Sequence, residues 1–175
     1  MKIMFKKILN YLTKTEERID PTEGWESKNI ETPHLDTATQ KVGVLRYGDA
    51  LERAKHYGKP DEIGWLEGDA FNLIYADKGF QLEFDDEKLS SVAYFVGSDE
   101  YNPKRPDLNY SKPVINTIAL DSDSSSTYVQ NNFGSPRETY DQIEEIILYY
   151  DLHKLIVEFE FSPSDKLKRV NIYPQ

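Results

Sequence analysis

Three glutamates, Glu83, Glu158 and Glu160, stand at alternate positions inside the apolar runs FQLEF (80–84) and IVEFEF (156–161). In an extended chain that spacing turns each carboxylate away from the face on which the phenylalanines and valines pack. The same alternation in the neighbouring runs sends Ile74, Phe95, Tyr149 and Tyr173 to the carboxylate side. Carboxylates among aromatic side chains can exchange protons or pair with cations, and the spacing decides between the two. Acid/base catalysis needs two carboxyl groups facing one substrate. The adjacent pairs Asp85-Asp86 and Glu144-Glu145 point to opposite sides of any strand and make poor acid/base pairs. Binding a cationic surface asks only that the acids and aromatics share a face.

The remaining reactive side chains support no catalytic reading. His34, His56 and His153 are scattered over a linker, a helix end and a turn, and no two have a metal-ligand spacing. No nucleophile elbow, phosphate loop or paired-histidine motif occurs. The stretch DSDSSSTYVQNN (121–132) begins like a calcium loop, but its sixth position is Ser126 rather than glycine and its twelfth is Asn132 rather than glutamate. Helix capping explains it more simply. The chain is therefore expected to be no enzyme and to need neither metal nor cofactor.

The bulk composition points the same way. Of 175 residues, 31 are acidic and 21 basic, a formal charge of −10, which repels a phosphate backbone and suits a cationic partner. Nucleic acid is thus not an expected ligand. Cysteine is absent, which removes thiolate chemistry and disulfides and favours a reducing, cytoplasmic setting. The opening MKIMFKKILNYLTKTEER places Ile3, Met4, Ile8 and Leu12 near one helical stripe. Lys6 and Lys7 interrupt the apolar run, so it reads as a retained amphipathic helix rather than a leader. A helix docked on its own domain is preferred to one on a membrane surface, and no apolar segment has the length of a transmembrane helix.

Two series of elements must position the carboxylates. After a polar linker (20–40), the segment from Asp49 has helix-forming residues and is stopped by Gly58-Lys-Pro60. Three alternating runs follow: FNLIY (71–75), FQLEF (80–84) and SVAYFV (91–96). Later, the serines after Asp121 can cap a helix that Gly134-Ser-Pro136 stops, and the runs IILYY, IVEFEF and VNIY come after it. Phe80-x-Leu82-x-Phe84 matches Val157-x-Phe159-x-Phe161, and Lys88-Leu89-x-x-Val92 matches Lys166-Leu167-x-x-Val170. Four matches in one order indicate an internal duplication, with Gly58 and Gly134 at equivalent helix ends. The divisions are a helix and linker over 1–40, a first repeat over 41–98, a connection over 99–118 and a second repeat over 119–175.

A helix ended by Gly-x-Pro, then antiparallel strands with a Lys-Leu-x-x-Val return, resembles the repeat of the β-lactamase inhibitory proteins and the outer-membrane lipoprotein A domains. The resemblance covers about Thr37 to Tyr173. It implies an α+β fold of two tandem repeats, each a short helix on an antiparallel sheet, and inhibition by binding. Together these readings predict a cytoplasmic, non-enzymatic protein-binding inhibitor, most concretely an immunity protein that neutralises a basic toxin or effector. The alternative is a structural module docking on a larger complex. The expected contact set is Ile74, Glu83, Phe95, Tyr149, Glu158, Glu160 and Tyr173, with Asp99, Glu100 and Tyr101 on a nearby loop.

Overall fold

Side chains that alternate between apolar and polar can bury the apolar set only if the chain is extended and one side is covered. The computed structural model, which describes residues 18–98 and 109–175, builds its strands from these runs. Three two-residue strands come first, β1 (Leu35–Asp36), β2 (Lys41–Val42) and β3 (Leu45–Arg46), then a 3₁₀ segment over Leu51–Tyr57. A four-strand meander follows: β4 (Glu62–Trp65), β5 (Phe71–Tyr75), β6 (Phe80–Asp85) and β7 (Lys88–Phe95). Short β8 (Val114–Ile115) and β9 (Ile118–Ala119) lead to helix α1 (Ser126–Phe133). A second meander closes the chain: β10 (Glu138–Asp141), β11 (Ile146–Leu152), β12 (Leu155–Phe161) and β13 (Leu167–Pro174).

The meanders do not form separate sheets. β13 pairs antiparallel with β7, Val170 opposite Tyr94 and Ile172 opposite Val92, and this seam fuses them into one eight-stranded sheet in the order β10-β11-β12-β13-β7-β6-β5-β4. The small strands form a five-stranded sheet, β3-β2-β1-β8-β9. The expectation of an α+β fold built from two helix-on-sheet repeats is therefore corrected: the described chain is mostly β, in two sheets. The physical reason is twofold. Neither helical segment exceeds eight residues, too short to cover a sheet alone, and β7 and β13 complete each other's hydrogen bonding instead of remaining as edges. The stretch read as a linker also contributes β1. The amphipathic segment read in the first residues lies outside the described residues. Among the described residues no helix is long and apolar enough to cross a membrane.

What does recur is a local device. Gly58 (φ 78°) and Gly134 (φ 84°) each end a helical segment, donating to the carbonyls of Lys55 at 3.0 Å and Gln130 at 2.8 Å. Each glycine carbonyl then accepts a tyrosine hydroxyl from the second strand of the meander that follows, Tyr75 at 3.1 Å and Tyr150 at 3.0 Å. Ser125 caps α1, its Oγ accepting from the Tyr128 amide at 3.1 Å. The inner face of the large sheet is buried over Phe71, Leu73, Tyr75, Phe80, Leu82, Phe84, Val92 and Tyr94, and over Leu148, Tyr150, Val157, Phe159, Phe161, Val170 and Ile172. Ile146, expected with them, is only half-buried. Tyr57 of the 3₁₀ segment packs edge-on against Tyr75 and Phe80, and Phe133 of α1 lies tilted against Tyr150 and Phe159.

Candidate functional site

The outer face of the large sheet carries the acidic and aromatic residues because the inner face has claimed the other parity of every strand. One cross-strand row runs the whole width: Glu62, Ile74, Gln81, Ala93, Asn171, Glu158, Tyr149 and Glu138. A second holds Phe95, Arg169, Glu160, Ile147 and Tyr140. The structure thus brings Tyr149, Glu158, Glu160, Tyr173 and Phe95 together across β11, β12, β13 and β7. Glu83 and Ile74 lie on the other meander, and Ile74 is buried, 5% exposed, so it offers a partner little surface. Asn72 and Ala93 on that half are buried as well. Asp99, Glu100 and Tyr101 lie outside the described residues.

The carboxylates at the centre of this face, Glu158 and Glu160, are already engaged. Asn171 donates through Nδ2 to Glu158, at 3.2 Å, and to Glu160; the Tyr173 hydroxyl donates to the other oxygen of Glu158. The Arg169 guanidinium lies 5.4 Å from the centre of the Phe95 ring, and among the described residues its buried Nε has no acceptor. Beside it Lys168, nearly buried, reaches Glu145 at 3.2 Å. Glu83 accepts from the Ser90 hydroxyl at 3.2 Å. The field is negative: Tyr149 titrates above the usual tyrosine range because it is partly desolvated and ringed by Glu158, Glu138, Glu160 and Glu145. Tyr173 is raised by burial and by its bond to Glu158.

Burial pushes Glu160 above the ordinary carboxylate range, although Arg169, Asn171 and Lys168 pull the other way. A carboxyl whose folded pKa exceeds its unfolded value binds its proton more tightly in the folded state. It therefore supports the fold most at pH below the unfolded pKa, and that contribution is lost as pH rises through the folded pKa. Glu160→Gln removes the charge. The melting temperature of the variant is expected to match wild type near pH 4 and to exceed it increasingly above that, as scanning calorimetry across pH 4–7 would show. A variant less stable than wild type at pH 7 would mean that the Arg169 and Asn171 contacts outweigh the desolvation.

The other groups singled out in the sequence are spent structurally. Asp121 accepts from the Asp123 amide at 3.0 Å and from Ser124, while Asp123 pairs with Lys166 at 2.6 Å, an interaction that lowers the Asp123 pKa. His34 and His56 border one open groove of about 490 Å³ with Glu31, Val44 and Tyr57. His153 occupies the β11–β12 turn with φ 51°. Among the described residues no three His, Cys, Asp or Glu side chains are grouped to hold a metal ion.

Sequence reasoning missed Arg169, which sits between Phe95 and Glu160, and the whole of β10 with Glu138 and Tyr140. The available signal was the alternation of Glu138 and Tyr140 directly after Pro136, too short and polar to stand out.

No family model matches the chain, and no curated protein matches it in sequence. Solved structures to which the chain is similar include these three. A DUF4309 family protein (YjgB) from Bacillus subtilis is 12% identical, with 71% of this chain and 76% of that one covered and a TM-score of 0.41. A cysteine-rich secretory protein (SAV1118) from Staphylococcus aureus is 13% identical, covers 86% of this chain and 51% of its own, and gives a TM-score of 0.50. An extracellular protein containing an SCP domain from Bacillus anthracis is 10% identical, with 90% and 50% covered and a TM-score of 0.50. The chain spans about half the length of the latter two. None of the three is a β-lactamase inhibitory protein.

Proposed function

We propose that the chain is a non-enzymatic protein-binding module that takes a basic partner on the outer face of its second meander, and that its concrete role is to neutralise that partner as an immunity protein neutralises a toxin. The observation that carries the reading is the placement of Tyr140, Tyr149 and Tyr173 beside Glu138 and Glu158 on three neighbouring strands and the strand next to them, half-buried or exposed, in a negative field. Aromatic anchors supply affinity at protein interfaces, and carboxylates around them steer a cationic partner and fix its register. Asn171 and Tyr173 hold Glu158 in place, so its orientation is set before a partner arrives.

A second reading is a structural module that accompanies another domain, and it is favoured by a specific observation: in two of the similar structures the matched region is half of a longer chain. Co-expression with the product of the adjacent gene separates them. Neutralisation requires that the chain rescue growth from that product. For a partner so identified, Tyr149→Ala or Tyr173→Ala is expected to weaken binding by about 2 kcal/mol by calorimetry. Unchanged affinity in both variants would move the contact off this face. Rescue of nothing, with stable association into a larger assembly, would select the structural module.

A further inference from the structure

The two ends of the eight-stranded sheet are finished differently. At the β4 end, Arg18 spans to the carbonyls of Leu66 at 2.9 Å and Gly68 at 3.1 Å and stacks on Trp65 at 5.1 Å, while Asp20 and Thr22 border the same groove as Ile63 and Trp65. That edge is flanked by the chain's own segment. At the β10 end all four residues, Glu138, Thr139, Tyr140 and Asp141, are exposed.

The hydrogen-bond phase of β10 follows from its turn. The Gln142 amide donates to the Glu145 carbonyl at 3.0 Å. Bonded and non-bonded pairs alternate along an antiparallel ladder, so Tyr140–Ile147 and Glu138–Tyr149 are the bonded pairs. The amides and carbonyls of Thr139 and Asp141 then point away from β11, and among the described residues no bond outside the ladder reaches them. Two donors and two acceptors at strand spacing form a template for one more strand.

We infer that the β10 edge is a strand-addition site for an extended basic segment of a partner protein, in which lysine or arginine alternates with aliphatic residues. The inference rests on the reading that this chain binds a protein. The charge of the edge selects the occupant. Glu138, Asp141 and the turn residue Glu144 have no ion pair among the described residues, whereas the cations near them are engaged elsewhere, Arg137 by Asp151 at 2.7 Å and Lys168 by Glu145 at 3.2 Å. A second copy of the chain would bring three more carboxylates to the same edge and a further formal charge of −10, which disfavours self-pairing. Tyr140, 46% exposed, and Ile143, 91% exposed, supply the apolar surface against which aliphatic side chains of the added strand pack.

The test titrates the full chain into a fluorescein-labelled decapeptide of alternating lysine and valine, read by anisotropy at about 0.15 M salt. Saturable binding is expected, with none for the glutamate–valine counterpart. Thr139→Pro removes one outward amide and leaves the ladder to β11 complete. It should weaken binding about ten-fold or more, with a melting temperature near wild type. Should that variant fail to fold, the same question is put by methylating alternate peptide amides, and by Glu138→Lys combined with Asp141→Lys, which should reverse the preference between the two peptides. Three results overturn the inference: no binding of the lysine–valine peptide, equal binding of its methylated form, or a dimer of the wild-type chain that Thr139→Pro dissolves. None of these touches the Tyr149 and Tyr173 measurements, so the edge can fail while the face stands.

Discussion

Phe159→Ala lowers the unfolding free energy by about 4 kcal/mol, the range for deleting a phenylalanine from a packed interior. Phe159 is fully buried, pairs across the strands with Leu148 and Val170, and has the rings of Phe133 at 5.2 Å and Tyr150 at 5.5 Å. The side chain joins the sheet to α1, so its removal leaves a cavity that three different elements would have to collapse to fill. Urea denaturation, read as a change of midpoint at constant slope, measures the loss. Tyr140→Ala on the outer face of the edge strand is the control, with a change within about 0.5 kcal/mol. A Phe159→Ala loss under about 1 kcal/mol would mean that the two faces of the sheet have been exchanged.

The second large effect is expected where the chain turns back after its first helical segment. Gly58 has φ 78° and ψ −172°, a region open essentially to glycine alone, and occupying it with another residue costs about 1–3 kcal/mol. A methyl group there would also stand 2.7 Å from the Glu26 carbonyl oxygen and 2.8 Å from the Lys28 amide, both backbone atoms held by the bond from the Lys59 amide to Glu26 (2.9 Å) and by Lys28 reaching the carbonyls of Lys55 and His56. Gly134 has the same backbone conformation, φ 84° and ψ −160°, yet nothing lies within 4 Å of its would-be Cβ. Gly134→Ala therefore bears the conformational cost alone, and Gly58→Ala the same cost plus a collision. The expected gap between the two is about 2 kcal/mol or more in chemical denaturation. Equal losses would show that residues 26–28 move aside freely.

This contrast shows how the sequence could be read and where it could not. Glycine two residues before proline is a strong local signal, and both helix stops stand where Gly58-Lys-Pro60 and Gly134-Ser-Pro136 put them. The long strands were legible because each buries one parity of Phe, Leu, Val or Tyr on the inner face. β4 (EIGW) and β10 (ETYD) were not, since edge strands bury little and show no apolar period. The two-residue strands of the small sheet have no period at all. Least legible was the seam, because the pairing of Val170 with Tyr94 depends on two strands far apart in the chain finding one another. The α+β expectation failed at that step: the sequence describes each meander locally and says nothing about how their last strands meet. Of the site, the parity that groups Tyr149, Glu158, Glu160 and Tyr173 was readable. Arg169 was not, since a bulge next to Phe161 sets which way it and Lys168 face.

The seam also governs the order in which the molecule can assemble. Within each meander every strand pairs with its neighbour in sequence, so hairpin closure involves short loops and proceeds on microsecond timescales. β7 and β13 close a far longer loop, so the entropy of that closure is expected to be met only after both meanders have formed their own ladders. Until then each half exposes a raw strand edge and an uncovered apolar face. The sequence-distant zipper between β7 and β13 is consequently the step expected to be slow, and refolding that slows with protein concentration, as chains pair with each other instead, is the result that stopped-flow measurements should give.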